Sequence, residues 1–491
     1  MNPVAIIFFL GCAVSLLAVQ RKWAPAALLV GCTYMTLGQG IEVGSINLPV
    51  YRLMLLVGLL RVIVKGERLI GGLNLIDKML IAWSCWAVFA SLFHDQERYG
   101  IIYACGSVFN LTLIYFLIRI WCTDIDEVRE VVLVVSFLLV PIAVEMVMEK
   151  ATGKNLFAVF GGVSENVQAR EGKLRAQGPF LHAILAGTVG ATCIPLFAGL
   201  LSKYRTTATV GIAAGLVMTF ASASSGPVMS LLAGLGALIL WPYKQHLSKA
   251  RVGGVLFYML LMMVMRQPPY YLMARIDISG GSTGWHRANL IEMTIAHFSE
   301  WWFIGTDKTR HWMPQQGIGA DPQHTDITNY YVGMGVFAGV ISLSLVVGMM
   351  AVAFRWVGKV IDARVEFQKE QAFMIWCFGC SLFAHAVTGL SVAYFDQSVL
   401  FFWLTIAVVS SSYSILQLEV QMEPSSKSLP GFGGEDLLAA VVQVDAVPDN
   451  AEWRRQYRER LVGGETGISL ARKGGDEYLK NQVAPPNRPD V

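Results

Sequence analysis

Cationic residues stand directly before an apolar run in the stretch REGKLRAQGPFLHA, residues 170–183. Its basic members include Arg170, Lys173 and Arg175. A guanidinium group binds phosphate oxygens in a planar, bidentate geometry, so this stretch could hold an anionic ligand. Long cationic side chains at helix ends also settle at lipid phosphates, which is the alternative without chemistry. The side of a membrane that the stretch faces bears on the choice.

Polar side chains also gather before a later apolar run. They are His311, Asp321, His324, Asp326 and Asn329. His324, Asp326 and Thr328 are close enough in the chain to share one rim. The histidines and scattered carboxylates of this region have no zinc-ligand spacing, so the sequence predicts no metal. Motifs for ATP hydrolysis, hydride transfer and serine hydrolysis do not occur.

The segments that would position these residues are apolar. Of the 491 residues, 54% are hydrophobic and 15% are charged, whereas a soluble domain has roughly 25% charged residues. This composition indicates a membrane protein, and the net charge of +3 gives no reason to expect a nucleic-acid partner. The 8 cysteines lie mostly in apolar runs and predict no disulfide framework. Cys377 and Cys380 form a CxxC that we expect to pack rather than to do redox or metal chemistry.

Apolar runs of about 17 to 25 residues predict about 13 membrane spans. These are 3–20, 24–40, 46–64, 75–93, 99–120, 128–148, 180–201, 207–222, 226–242, 252–266, 327–352, 370–393 and 396–416. The first run lacks a basic leader, and we interpret it as a retained span rather than a signal peptide. The predicted fold class is all-α, a polytopic membrane helical bundle.

Lysine and arginine in short loops predict the orientation of the chain. They are Arg21, Lys22, Lys65, Arg68, Lys203, Arg205, Lys244, Lys249, Arg251, Arg355, Lys359, Arg364 and Lys369. All fall in odd-numbered loops, which should be cytoplasmic. The N-terminus is then outside, the C-terminus is inside, and the long loops 149–179 and 267–326 are extracytoplasmic. The basic stretch at 170–175 therefore needs a reason other than the inside-positive bias.

Four regions follow from these patterns. Residues 1–148 form N-terminal transmembrane helices, and 149–352 form a core with both long loops. Residues 353–416 form C-terminal transmembrane helices. Residues 417–491 form a polar cytoplasmic tail, which we expect to be largely disordered.

The second long loop contains a predicted amphipathic helix. Its apolar residues recur at spacings of 3 and 4: Ala288, Ile291, Ile295, Phe298 and Trp302. Ser282 or Thr283 would cap the helix, and its other faces carry His286, Arg287 and Glu292. Such a helix should lie in the outer membrane interface, or it could be a plug that covers the bundle.

The order of motifs between about residues 170 and 345 resembles the bacterial O-antigen ligase and polymerase family. The motifs are KLRAQGPFLHA, then SASSGP at 222–227, then WHRANLIEMTIAHF leading to Gly305, and finally His324 before NYYVGMGVFAGVI. The earlier spans are similar to the family only in being hydrophobic. The serines of SASSGP are expected to bond backbone groups or to allow close helix packing.

The resemblance implies a glycosyltransferase of the outer leaflet of the bacterial inner membrane. In this family an acceptor hydroxyl attacks the anomeric carbon of a glycan carried on undecaprenyl diphosphate, without a metal or another cofactor. By matching motifs, Arg175 would bind the leaving diphosphate. His324, 11 residues before Gly335, would orient or deprotonate the acceptor, and Asp326 is a rival general base.

The remaining substrate-binding expectations come from the same comparison. They are Arg170, Lys173, His182, Arg275, His286, Arg287 and Asn329. The family often has an arginine before the tryptophan of the amphipathic helix, where this chain has GGSTG, and Arg275 or Arg287 could substitute for it. It also often has serine-arginine where this chain has Ser224 and Ser225.

The expected reaction is polymerisation of an exopolysaccharide or O-antigen repeat. Ligation to a lipid or protein acceptor, a transporter or flippase of the same lipid-linked sugars, and an envelope scaffold subunit are the alternatives. The expected partners are undecaprenyl-diphosphate-linked oligosaccharide, a glycan or lipid acceptor, membrane lipids and other polysaccharide-assembly proteins. No nucleic acid is expected.

Overall fold

The computed structural model describes residues 1–44, 46–94, 97–275, 284–314, 324–366 and 368–422. The expected helix cap at Ser282 or Thr283, the side chain of Asp321 and the tail beyond Met422 lie outside these residues.

The described chain is mostly helical. Its helices are α1 Pro3–Ala18, α2 Ala24–Tyr34, α3 Val50–Lys65, α4 Leu75–Ser91, α5 Glu97–Trp121, α6 Ile125–Thr152, α7 Ala183–Ala198, α8 Arg205–Ala221, α9 Ser225–Ile239, α10 Leu247–Val264, α11 Leu272–Arg275, α12 Gly284–Ala296, α13 Phe298–Trp301, α14 Tyr330–Arg364, α15 Lys369–Gly389 and α16 Val399–Met422. Each predicted span overlaps one of α1–α10 or α14–α16.

Among the described residues, five helices are long and apolar enough to cross a membrane. They contain the segments Gly100–Trp121, Ile125–Thr152, Tyr330–Arg364, Lys369–Gly389 and Val399–Val420. Shorter apolar helices accompany them, among them α1, α7, α8 and α9. The chain is therefore a helical, membrane-embedded protein.

Short strands correct the all-α expectation. Strand β1, Gly40–Val43, pairs antiparallel with β2, Ile46–Pro49, and α2 already ends at Tyr34. The predicted spans 24–40 and 46–64 were therefore too long. Between α2 and β1, Gly38 brings its backbone against Gly162, where an added Cβ would lie 2.3 Å from the Gly162 nitrogen.

Helix α14 runs past its predicted end at residue 352. Arg355, Lys359 and Arg364 consequently lie on this helix, and their assignment to a loop was wrong. The apolar residues between them continue at helical spacing, which keeps the helix packed. Arg364 ends it, and its guanidinium lies 2.6 Å from the carboxylate of Glu419 in α16.

A break interrupts α14 at Ala338 and Gly339, whose backbone angles are not helical. The polar groups released from the helix find partners elsewhere. The Val340 N–H donates to the Trp302 carbonyl over 2.8 Å, and the Trp86 indole donates to the Ala338 carbonyl over 2.7 Å. The break thus joins α14 to α4 and to the segment that follows α13.

A buried polar network links α4, α5 and α16. The Tyr115 hydroxyl donates to Asp77 over 2.5 Å and lies 2.7 Å from the Ser410 hydroxyl. The Arg119 guanidinium lies 3.8 Å from Asp77, and both side chains are fully buried. Each charge is therefore compensated inside the bundle, as buried charges require.

Close packing of small residues joins α7, α8 and α9. A Cβ added to Gly190 would lie 2.6 Å from the Gly215 carbonyl, and one added to Gly187 would lie 2.4 Å from the Ser222 hydroxyl. The hydroxyls of Ser222 and Ser224 also donate to backbone carbonyls. Both expectations for the SASSGP serines are confirmed at these positions.

The CxxC cysteines, Cys377 and Cys380, are buried on α15. The Cβ of Cys377 lies 3.2 Å from the position that a Cβ on Gly199 would take. These contacts agree with a packing role.

Candidate functional site

The basic stretch forms a two-residue hairpin. Strand β3, Ala169–Arg170, pairs with β4, Lys173–Leu174, so that Arg170 lies opposite Lys173. The turn residues Glu171 and Gly172 both have positive φ angles, 50° and 75°, as a primed hairpin turn requires. The hairpin therefore brings two exposed cations together at its tip.

Arg175 follows the hairpin and turns inward. Its backbone N–H donates to the Gln168 carbonyl over 2.9 Å, and its Nη2 donates to the Ser224 hydroxyl over 2.7 Å. Burial lowers the pKa of the guanidinium, and the charge of Arg170 lowers this pKa further. Its Nε is buried without a hydrogen-bond partner among the described residues. Arg175 thus has a donor available for an anion beside the start of α9.

A carboxylate holds the turn that follows Arg175. Glu149, at the end of α6, is fully buried and accepts the N–H of Gln177 over 2.9 Å and the N–H of Gly178. The Asn155 side chain donates to the Gly178 carbonyl over 2.9 Å. The left-handed backbone of Gly178, with φ of 58°, suits glycine. Glu149 was not singled out from the sequence because no local motif marks it.

The connection between α15 and α16 makes hydrogen bonds to the residues just before α7. The Leu181 N–H donates to the Asp396 carboxylate over 2.9 Å, and the Gln397 side chain donates to the Pro179 carbonyl over 2.7 Å. His182 comes directly before α7, and its Nδ1 is buried without a hydrogen-bond partner in the described structure. More than 200 residues separate the partners in the first two hydrogen bonds, 215 and 218, so sequence reasoning missed them.

Arg287, on α12 of the second long loop, interacts electrostatically with Arg170 and Arg175. Burial lowers the pKa of its guanidinium, the charges of Arg170 and Arg175 add to this effect, and Asp326 opposes it. The three guanidinium groups are therefore close enough to interact electrostatically. The His286 Nε2 lies 3.2 Å from the Asp326 carbonyl, which ties α12 to the segment before α14.

His182 joins this group electrostatically. Its ring interacts with the positive charge of Arg175 and with the negative charge of Asp326. The Nε of Arg287 is buried and has no hydrogen-bond partner within the described ranges. We call Arg170, Arg175, His182, Arg287 and Asp326 the arginine cluster.

The other expected site residues differ in their placement. His324 is half-buried and lies two residues before Asp326, while Arg275 is exposed at the end of α11. Asn329 caps α14, because its side-chain oxygen accepts the N–H of Tyr331 and Val332, and its amide donates to the Leu390 carbonyl. The helix therefore begins at Tyr330, whereas the predicted span began at residue 327, since asparagine is a strong N-cap.

The predicted amphipathic helix is divided in two. Helix α12 ends at Ala296, and α13 begins after His297, because the Trp301 indole donates to the Thr294 carbonyl over 2.8 Å and satisfies the helix end. Only the C-terminal part of the predicted apolar stripe remains outside, with Ile295 61% and Trp302 52% exposed, whereas Ala288 is buried. An exposed apolar stripe suits contact with lipid better than a plug buried against the bundle.

The arginine cluster can bind a polyanion and supply a carboxylate nearby. Its guanidinium groups come from two loops, and Ser224 orients one of them. Apart from this cluster, the described residues bring together a single group of three possible metal ligands, His297, Glu300 and His311. No protein-family model and no curated protein matches the chain.

Proposed function

We propose that the chain is a membrane glycosyltransferase of the O-antigen ligase and polymerase type, acting at the outer face of a bacterial inner membrane. In this proposal the N-terminus is periplasmic and the tail is cytoplasmic. The observation that carries it is that Arg170, Arg175 and Arg287, from two separate loops, are close enough to interact electrostatically, and that the buried guanidinium Nε atoms of Arg175 and Arg287 have no hydrogen-bond partner in the described structure. A diphosphate supplies the charge and the acceptor oxygens that such a cluster needs.

The arginine cluster would stabilise the leaving group. The acceptor oxygen attacks the anomeric carbon, and the bond from that carbon to the phosphate oxygen breaks. The electron pair leaves on undecaprenyl diphosphate, whose growing charge the guanidinium groups neutralise. Arg175, oriented by Ser224, and Arg287 are the principal donors, and Arg170 adds charge from the hairpin.

Asp326 and His324 are the candidates to take the acceptor proton. Asp326 interacts electrostatically with Arg287 and His182, which supports a position beside the leaving group. His324 lies two residues away in the same segment. Asp326→Asn and His324→Gln separate the two, because only loss of the general base should reduce turnover while leaving binding of the lipid-linked substrate intact.

Polymer output from a complemented deletion strain tests the proposal. Arg175→Ala should abolish long-chain polymer and cause lipid-linked repeat units to accumulate, with normal protein level in the membrane. Lys154→Ala is the matched control, since Lys154 is a cation of the same loop that pairs with Glu165 at the surface. Full polymer output from Arg175→Ala would refute the assignment.

Product analysis distinguishes the related reactions. A lengthened glycan on undecaprenyl diphosphate identifies a polymerase, while a glycan on another lipid or on protein identifies a ligase. Translocation of a labelled lipid-linked sugar in vesicles, without a new glycosidic bond, would identify a transporter and overturn the proposal.

A further inference from the structure

A second polar cluster lies between α13 and the turn Arg310–Trp312. The His297 Nδ1 lies 2.7 Å from one oxygen of the Glu300 carboxylate, and the His311 Nε2 lies 2.9 Å from the other. Ligand atoms of all three side chains lie within 4.8 Å of one another. Two imidazoles and a carboxylate therefore converge on a space comparable to one coordination sphere.

We propose that His297, Glu300 and His311 bind a divalent transition-metal ion, with Zn²⁺ as the preferred ion. Two histidines and one glutamate recur at zinc sites where water takes the fourth position. Ligand atoms at about 2.0–2.1 Å from a tetrahedral ion lie about 3.3 Å apart, so the two histidine–glutamate distances, 2.7 Å and 2.9 Å, would each widen by about half an ångström. The side chains of His297, Glu300 and His311 are 28%, 35% and 52% exposed, which leaves room for this movement and for the water.

Trp312 contacts two of these ligands, Glu300 and His297. Its indole N–H donates to the Glu300 carboxylate over 2.9 Å, and its ring stacks on His297 at 5.6 Å with an interplanar angle of 11°. Trp312 is itself 2% exposed. Such outer contacts orient metal ligands and typically change metal affinity 10- to 100-fold.

The ion would act as a structural staple. It would join α13 to the turn that contains His311, and this turn adjoins Thr309. The Thr309 hydroxyl accepts the Thr325 N–H over 2.9 Å, so the staple would restrain the segment between His324 and Asp326. The inference does not depend on the proposed transferase reaction, and the ion takes no part in that reaction.

Metal titration of the purified full-length chain tests the staple. The protein, in detergent and with a tag free of histidine, is stripped with a chelator and titrated with Zn²⁺ by calorimetry. Co²⁺ absorption provides a second readout of coordination. The variants are His297→Gln, His311→Gln and Trp312→Phe, and His246→Gln is the control because His246 lies in another turn.

We expect one ion per chain in the wild type and in His246→Gln. His297→Gln and His311→Gln should weaken binding at least tenfold, and Trp312→Phe, which keeps the buried ring, should weaken it about tenfold. Size-exclusion profiles check that the variants remain folded. Binding no greater than that of empty micelles would overturn the proposal, as would equal affinity in the wild type and all three variants. In either case the cluster is only a hydrogen-bonded contact, whereas the polymer assay above would be unaffected.

Discussion

Glu149→Gln tests whether the turn after Arg175 depends on a buried carboxylate. In the structure the two oxygens of Glu149 accept the N–H groups of Gln177 and Gly178. Glutamine offers one carbonyl oxygen and one NH₂ group, so one of these N–H groups would face another donor. The substitution preserves size, removes the charge and replaces one acceptor oxygen with an NH₂ donor.

The expected loss of stability follows from the number of acceptor oxygens that remain. Leaving one buried N–H without an acceptor costs about 1–3 kcal/mol. The turn lies two to three residues from Arg175, so the guanidinium should also shift from its position beside Ser224. A displacement of about 1 Å in a positioning group can reduce turnover about 100-fold.

Thermal unfolding in detergent and turnover of a labelled lipid-linked glycan measure the two effects. Glu165→Gln is the matched control, because Glu165 belongs to the same loop and its pair with Lys154 is 64% exposed on both sides. That exposed pair should contribute at most about 1 kcal/mol. If Glu149→Gln is as stable and as active as Glu165→Gln, the carboxylate does not hold the site.

Three further substitutions test other parts of the structure. Arg175→Lys keeps the charge but loses the guanidinium fork, and we expect turnover of purified protein to fall about 10- to 100-fold, matching about 1.5–3 kcal/mol for hydrogen bonds to a charged group; an unchanged rate would contradict a bidentate role. Asp77→Asn leaves Arg119 without its buried partner and should lower the free energy of unfolding by about 3–5 kcal/mol, a loss that denaturation in detergent would detect and that a change under about 1 kcal/mol would exclude. Gly339→Ala should destabilise the chain by at least about 1–3 kcal/mol, because φ of 75° and ψ of −176° suit glycine alone and the new Cβ would lie 1.9 Å from a carbonyl oxygen. Its control is Gly236→Ala, where a Cβ meets nothing within 4 Å and thermal stability should be unchanged or higher.

Hydrophobic length predicted the helices well because each apolar run must satisfy its backbone internally. The same signal failed at residues 40–49, where two strands pair as a hairpin in place of helix. It also failed beyond residue 352. The arginine and lysine residues there suggested a loop, but the apolar residues between them keep helical spacing and α14 continues to Arg364. Apolar length alone does not distinguish these cases.

The candidate site could be predicted only as far as its local motifs reach. The basic stretch at 170–175, Arg287 and Asp326 were all selected from residue type and motif order. Glu149 and Asp396 were not, because each acts through hydrogen bonds to backbone distant in the chain. Only the folded chain reveals such partners.

The second polar cluster, His297, Glu300 and His311, also depends on contacts that the sequence does not reveal. His297 and Glu300 lie three residues apart, but His311 reaches them because the following turn folds back. The sequence therefore predicted no metal on the basis of ligand spacing, whereas the folded loop brings the three side chains together.

The break in α14 divides one long helix into two pieces, and the rotation of each piece about the helix axis is set separately. In a continuous helix, inserting one residue would rotate everything beyond it by about 100°, and all packing on the far side would be misaligned. Here Ala338 and Gly339 are anchored by Trp86 and Trp302, so the rotation stops at the break. A one-residue insertion before the break should therefore disturb only the contacts of the short N-terminal piece, such as the hydrogen bond from the Tyr331 hydroxyl to the Ala386 carbonyl, while the packing of the remaining helix is preserved.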